Sequence, residues 1–347
     1  MEKTVLLLAT LLLTSHFATA QVLYSEDFDN LTLGDVGTDF TGTTPGQGGW
    51  YTLSDSSETP SENSNSYFKI VSEPGRGKVL ELAATPGKGQ TYLQKRGIDA
   101  LWSNRTAGND ILKIEIDFYT GDQFSDGGTG LPIQGAILAI KPNDIFNATS
   151  NDVVGSFGYR PDIEYFTLFT ASKNCYIVPP PPTYYILKLK TWIKIIYYLD
   201  VQNQKINFVI PSNNFFCECF LDSNTTIQSF LLKNSNWIGS QATIPKYRYD
   251  NLIISAVDTV PLSVQDFISD KFNLYPNPAK NIINITNNEN IGVEQVTIFD
   301  IDGKLIKTKT FNKEHNVQLD FSAFAAGTYL VHIETNKGTA IKKLIKK

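Results

Sequence analysis

Between residues 21 and 257 one pattern recurs: short runs in which apolar and polar side chains alternate, separated by Gly, Pro, Asn, Asp and Ser. Side chains on a strand point alternately to its two faces, so each run buries one face and wets the other. The pattern predicts strands over 22–29, 67–72, 78–83, 91–94, 111–119, 134–140, 153–159, 165–170, 184–189, 192–200, 205–210, 227–232 and 247–256. No long stretch carries a helical period. Strands at this spacing, with turn residues between them, indicate an antiparallel sandwich. Composition agrees, because 21 Phe, 16 Tyr and 4 Trp favour strands over helices. The Gly-, Thr- and Ser-rich stretch 33–65 reads as loop, with Trp50 its one large residue near the middle.

Residues 272–347 repeat the pattern on a smaller scale. Strands are predicted over 282–285, 293–300, 304–310, 317–321, 327–334 and 339–345, with Asp302-Gly303 as a tight hairpin turn. The fold class is therefore all-β, a larger sandwich at 21–257 followed by a smaller one at 272–347, with 258–271 as a polar linker. A length of 347 residues fits about two domains.

Residues 1–20 read as a signal peptide. Lys3 gives the positive start, Val5 to Leu13 the apolar core, and Ala18-Thr19-Ala20 the small residues of a cleavage site, so the exported chain begins at Gln21. That core is too short to span ~30 Å of hydrocarbon, and no later stretch is longer, so no transmembrane segment is expected. Gln21 rather than Cys follows the cleavage site, which argues against a lipid anchor there. Residues 21–271 carry 19 Lys and Arg against 27 Asp and Glu, a net charge of −8, whereas the tail carries 10 against 7, a net of +3. An acidic domain repels phosphate backbones, so no nucleic-acid partner is expected.

Histidine gives the sharpest exclusion. The three histidines, His16, His315 and His332, fall in the signal peptide and the tail. The larger domain therefore lacks the imidazole that Ser-His-Asp and Cys-His hydrolases use near neutral pH. The two-histidine helix of zinc proteases is missing as well. Only carboxylate or tyrosine chemistry remains for an enzyme. Three cysteines, Cys175, Cys217 and Cys219, reach an oxidising compartment, where one disulfide is expected. Cys217 and Cys219 share one side of a strand and are awkward to bridge. Cys175 therefore pairs with one of them, which leaves an odd thiol.

The tail opens with Phe272-Asn273-Leu274-Tyr275-Pro276-Asn277-Pro278, a strand that stops at two prolines. Gly327-Thr328-Tyr329-Leu330-Val331 and the basic strand Lys342-Lys343-Leu344-Ile345-Lys346-Lys347 follow. This run resembles the C-terminal sorting domain of the type IX secretion system of the Bacteroidota. Asp320-Phe321-Ser322-Ala323-Phe324-Ala325-Ala326-Gly327 is similar to that family's Asp-Leu-Ser step ahead of its Gly-x-Tyr strand, with Phe in place of Leu. The resemblance implies a small immunoglobulin-like sandwich and the secretion machinery as partner. It assigns Tyr275, Pro276, Asn277, Pro278, Gly327 and Tyr329 to the sorting motif. It also implies removal of the tail, then release or attachment to the outer cell surface. Asp258-Thr259-Val260 is similar to the O-glycosylation pattern of the same bacteria, which makes Thr259 a candidate glycan site.

Ser25-Glu26-Asp27-Phe28, Trp192-Ile193-Lys194-Ile195 with Lys205-Ile206-Asn207-Phe208, and Tyr249-Asp250-Asn251-Leu252-Ile253-Ile254 together resemble a concanavalin A-like or laminin G-like jelly roll. That fold implies pairing of the first and last strands and a core position for Trp192. Its sugar-binding members often tie those strands with a structural calcium ion. Glu26 and Asp250 stand at matching places with the hard oxygen ligands calcium prefers. Asp122, Asp126 and the Gly127-Gly128 turn are a second, looser candidate. Glu115-Ile116-Asp117-Phe118-Tyr119-Thr120 partly resembles the Glu-x-Asp-x-x-Glu strand of family 16 glycoside hydrolases. Glu115 would be the nucleophile and Asp117 its helper, but Thr120 stands where the acid/base carboxylate belongs, and a hydroxyl has no suitable pKa. Two carboxylates about 5–5.5 Å apart would be needed for a retaining reaction.

Binding suits this scaffold better than catalysis. Sugars are held by aromatic faces and by Asn, Asp and Gln that read hydroxyls. Trp50, Trp102 and Trp237 lie in segments that read as loops, beside Asn63, Asn104 and Asn236, and loops at a sandwich edge commonly carry function. The expectation is an exported protein whose larger domain binds a polysaccharide or other glycan, or mediates adhesion, without catalysis. The alternatives are a divergent polysaccharide hydrolase or lyase and a surface-layer protein with no small ligand.

Overall fold

A computed structural model describes residues 20–56, 59–122, 134–140, 152–161, 164–170, 187–221, 225–236, 244–261, 268–287, 291–335 and 337–347. The signal peptide up to residue 19, Asp126 with its Gly127-Gly128 turn, Cys175 and Trp237 lie outside them. Among the described residues the larger domain has fifteen strands: β1 Gln21–Glu26, β2 Gly34–Asp35, β3 Trp50–Ser56, β4 Phe68–Glu73, β5 Gly77–Ala83, β6 Gly89–Arg96, β7 Ile111–Tyr119, β8 Gln134–Ile140, β9 Val153–Arg160, β10 Tyr165–Phe169, β11 Trp192–Asp200, β12 Lys205–Ile210, β13 Phe215–Phe220, β14 Ser229–Asn236 and β15 Lys246–Val257. The tail adds β16 Phe272–Tyr275, β17 Ile282–Asn287, β18 Val293–Asp300, β19 Leu305–Glu314, β20 Val317–Asp320, β21 Gly327–Thr335 and β22 Gly338–Lys346.

The larger domain is a jelly-roll sandwich of two antiparallel sheets. One runs β13-β12-β11-β7-β15-β5-β4-β2, with β1 added beside β15, and the other runs β10-β9-β8-β14-β6-β3. First and last strands pair, Gln21 opposite Ala256 and Glu26 opposite Leu252. A bulge in β15 between Asp250 and Ile253 places Asn251 at φ +50°. Residues Lys246–Tyr249 of that strand pair with β5 and Leu252–Ala256 with β1. One strand thus serves two neighbours on the same flank, and the bulge between them re-aims its side chains.

Strict alternation sorts β7. Leu112, Ile114, Ile116 and Phe118 enter the core between the sheets, which leaves Ile111, Lys113, Glu115, Asp117 and Tyr119 on the outer face. Phe118 is the centre of an aromatic cluster, 5.8 Å from the rings of both Phe157 and Tyr159, 5.4 Å from Tyr247 and 5.5 Å from Tyr249. Such pairs prefer tilted or edge-on contacts at this separation.

The stretch 33–65 is not all loop. It contains β2 and β3, and Trp50 begins β3 as a fully buried core residue, 6.1 Å from the Phe28 ring. Glycine-rich flanks hid the alternation of Trp50, Thr52, Ser54 and Ser56, whose inward side chains are mostly small and polar.

The tail is a second, smaller sandwich, three strands β16-β17-β20 against four, β19-β18-β21-β22. Its opening motif is a clamp. The Asn277 amide donates to the carbonyl of Lys343 at 2.9 Å and accepts from the Ile345 N–H at 2.9 Å. Ala279 adds a short parallel bridge to the last strand, its N–H 2.7 Å from the Ile345 carbonyl.

From Ile195 onward strand β11 is buried on both faces. Ile193, Ile195, Tyr197 and Leu199 enter the sandwich core, while Ile196 and Tyr198 on the outer face join Ile111, Val209 and Val257 in a second apolar cluster. That cluster continues through Ile268 into the tail's own core, including Phe272, Ile291 and Val293. A fully buried Val or Ile side chain contributes about 1.5–3 kcal/mol, so this seam joins the two sandwiches firmly.

Candidate functional site

The outer face beyond that seam is polar. Across β7 and β11, Trp192 stands opposite Tyr119, Lys194 opposite Asp117 and Ile196 opposite Glu115. On the other side of β7, Asp250 stands opposite Asp117. Like charges facing each other across a ladder repel. Arg76, in the turn between β4 and β5, resolves the conflict. Its Nη1 lies 2.9 Å from Asp117 Oδ2 and 3.0 Å from Asp250 Oδ2, and its guanidinium lies 4.0 Å over the Trp192 ring. Asn251, aimed outward by the β15 bulge, donates to Asp117 Oδ2 at 3.0 Å. Lys194 Nζ is 3.0 Å from Asp117 Oδ1 and 3.8 Å from Glu115 Oε1, and Lys113 pairs with Glu115.

These groups line a cleft of about 340 Å³, bordered by Arg76, Glu115, Asp117, Trp192, Lys194 and Asn251. An adjoining hollow of about 620 Å³ extends past Asp250 to Asp27 and Asp29. Burial works to raise the Asp117 carboxyl, but Lys194, Arg76 and Asn251 outweigh it and hold it below the usual carboxylate range. Burial is likewise outweighed at Glu115, by Lys113, Lys194 and Lys271. Asp250 goes the other way, because burial raises it more than Arg76 lowers it.

Glu115 and Asp117 are thus brought to the cleft as ionised groups, each bound to cations. Thr120 offers no proton donor. It is fully buried, its hydroxyl donating to the Lys188 carbonyl at 2.8 Å and accepting from the Thr191 N–H at 3.0 Å. Glu26 and Asp250 have separate partners: Glu26 accepts from the Phe28 N–H at 2.9 Å and the Tyr24 hydroxyl at 3.4 Å, whereas Asp250 holds Arg76. Among the described residues no group of three or more His, Cys, Asp or Glu is arranged to hold a metal. Arg76 already supplies the positive charge between Asp117 and Asp250, so the residues present do not fit calcium there.

The tryptophans are distributed differently from the sequence expectation. Trp50 is in the core, and Trp192, expected there, is half-buried on the outer face, with Tyr119 5.3 Å away. The register of β11 explains the exchange: Ile193 and Ile195 take the inward positions, and Trp192 falls on the opposite parity. Trp102 is half-buried on a short helix, Ile98–Ser103, under the Arg105 guanidinium at 4.4 Å. The asparagines near these tryptophans are engaged within the fold. Asn63 accepts from Ser54 and Ser56, Asn104 bonds the Ala100 carbonyl, and Asn236 bonds the Thr85 carbonyl from a buried position.

Cys219 is disulfide-bonded, and Cys217, its sulfur 3.6 Å away, stays outside the bridge as a thiol. Thr259 is exposed just past β15. In the tail, Tyr275 is half-exposed beside the Asn277 clamp. Tyr329 is buried against Phe321 and Phe324, its hydroxyl donating to the Ala325 carbonyl at 2.9 Å.

Residues 273–347 match the family model of the secretion system C-terminal sorting domain. The tail is a type IX sorting domain. With it the chain is exported, to the medium or to the cell surface, and no helix among the described residues is long and apolar enough to cross a membrane. No curated protein matches the sequence. Among solved structures, a sialidase aligns at 12% identity and TM-score 0.41, over 69% of this chain and 19% of its own length, so the chain spans about a fifth of that protein. An endo-1,3-β-glucanase from Streptomyces sioyaensis aligns at 12% identity and TM-score 0.43, over 70% of this chain and 98% of its own. Domain 4 of an extracellular arabinanase from Geobacillus stearothermophilus, in complex with arabinotriose, aligns at 14% identity and TM-score 0.38, over 71% and 98%.

Sequence reasoning missed Arg76, Trp192, Lys194 and Asn251 as parts of the site, which the sorting domain adjoins through Lys337. One signal was available. Glu115-x-Asp117 and Trp192-x-Lys194 have the same two-residue spacing, and pairing their strands sets Asp117 opposite Lys194 and places Trp192 on the same face, opposite Tyr119.

Proposed function

We propose that the larger domain is a non-catalytic carbohydrate-binding or adhesion module, carried outward by its sorting domain, and that it takes its ligand at the Trp192 cleft. The observation that carries this reading is the ion pairing in the cleft: Arg76 and Lys194 lie 2.9 and 3.0 Å from Asp117, and Lys113 pairs with Glu115. Glycoside hydrolysis by paired carboxylates needs one of them protonated to serve as acid. Glu115 and Asp117 are both held ionised by cations, and the third position of that strand motif is a buried threonine. What the cleft offers is an aromatic wall, an amide and a set of fixed charges, which suits hydroxyl recognition in a small, mostly pre-formed depression.

The test is a pull-down of the exported chain with insoluble and soluble polysaccharides, alongside a reducing-end assay on the same samples. Saturable binding without release of reducing ends is the expected result. Release of reducing ends that disappears in Glu115→Gln would overturn the reading in favour of a hydrolase. A soluble product carrying an unsaturated uronate would point to a lyase.

A further inference from the structure

We propose that the sorting domain has a second function in this chain, as an intramolecular cover over the sandwich face that carries the cleft. The inference rests on the cleft being the ligand site, and it predicts that ligand access improves when the tail is moved away.

Three observations support it. The seam is apolar and continuous: Ile196 and Val209, on the outer face of the larger sandwich, are completely buried in one cluster with Ile268 and the tail core. The fit is close as well. Beside the cleft, a hollow of only about 50 Å³ separates Trp192, Ile193 and Pro211 from Ile268, Ile291 and Lys337. Gly338 at φ +127° brings the β21–β22 turn so near that a Cβ there would meet Ile268 at 3.4 Å and the Pro211 carbonyl at 4.0 Å.

The third observation is electrostatic. Lys337, in that turn, borders the same cleft as Glu115, Asp117 and Trp192. Lys271, at the entrance to the tail, is close enough to help hold Glu115 in its ionised form. Lys337 of the tail and Lys271 at its entrance therefore lie beside the acidic residues of the cleft, and Lys337 belongs to the part with net charge +3, against −8 for residues 21–271. A face reserved for an external ligand would not need an apolar half matched to the protein's own next domain. A cover open one part in a hundred lowers apparent ligand affinity about 100-fold.

The experiment uses the whole exported chain with a protease site inserted between Pro261 and Ile268, and the same chain carrying Ile268→Asp. Ile268 belongs to neither sandwich, so its substitution loosens the seam while both domains fold; Ile268→Ala serves if the aspartate variant does not express. After cleavage, the two pieces of the parent should co-elute in gel filtration at micromolar concentration, and those of the variant should separate. Backbone hydrogen exchange over residues 113–117 and 192–198 should accelerate in the variant. Laminarin, arabinan and pectin serve as probes, and whichever binds should bind the variant at least tenfold more tightly. Separation of the parent's pieces on cutting, or equal exchange in both chains, overturns the cover. Equal polysaccharide affinity in both also overturns it. Faster exchange in the variant with no polysaccharide bound by either chain supports the cover and sinks the carbohydrate reading instead.

Discussion

The outer face of β7 and β11 has two halves that share strands, register and sheet yet meet opposite fates. At one half, Ile111, Ile196, Tyr198 and Val209 are sealed under the tail. At the other, which begins at Glu115, the cross-strand partner of Ile196, the residues Glu115, Asp117, Trp192 and Lys194 line a polar cleft with Lys337 of the tail on its border. The strand pairing is identical in both. What differs is whether a side chain has an apolar partner across the gap or must keep its charge near water and counter-ions. A sheet face is thus not buried or exposed as a unit. Its neighbours decide, residue by residue.

Substitutions can be made in either half, and those in the apolar half should have the larger effect. Ile196→Ala removes a fully buried side chain between two domains and should lower stability by about 3–4 kcal/mol, read from denaturant unfolding of the exported chain. A loss below ~1 kcal/mol would mean that the seam contributes little. Arg76→Ala, in the polar half, leaves Asp117 and Asp250 facing each other without their shared cation. Breaking a buried pair is strongly destabilising, and with Arg76 only 26% exposed the loss should be about 2–3 kcal/mol at neutral pH. Its pH dependence follows from the signs. Glu115 and Asp117 titrate below their ordinary values in the folded chain, so their stabilisation is complete above about pH 4 and is lost as pH falls through those lowered values. Asp250, raised by burial, ionises at an expense to stability as pH rises through its raised value, and Arg76 offsets part of that. The Arg76→Ala deficit should therefore be greatest at neutral pH and shrink below about pH 4. A deficit that grows toward acid would contradict the arrangement. Trp192→Ala should have the smallest effect on stability, within about 1 kcal/mol for a half-buried side chain, while polysaccharide binding falls at least tenfold. Unchanged binding would place the ligand elsewhere.

Much of the architecture was legible in the sequence because alternation was strong. β7 and the opening of β11 show clear two-residue periods, and the pairing of first and last strands follows from the jelly-roll resemblance. The tail was legible from Tyr275-Pro276-Asn277-Pro278 and Gly327-x-Tyr329. The structure adds a physical role for the first motif, because Asn277 pins the last strand through both ends of its amide. The site was far less legible. Trp50 read as a loop residue because its strand is flanked by glycines, and Trp192 read as core because one position of register was not fixed. Arg76 is a single arginine in a turn, joined to Asp117 and Asp250 only once strands far apart in the chain are paired. The Ile195-Ile196-Tyr197-Tyr198-Leu199 run did carry a signal, since a strand without alternation is buried on both faces. Nothing in the run itself says that the second covering would be the tail.

The pairing of β1 with β15 has a kinetic side. Glu26 finds its place opposite Leu252 and Gln21 opposite Ala256, so the first strand has no partner until more than two hundred further residues are in hand. Topologies dominated by such distant contacts close slowly, because the loop must be gathered before any contact rewards it. In an exported chain, late closure leaves more time in which the polypeptide can still be threaded.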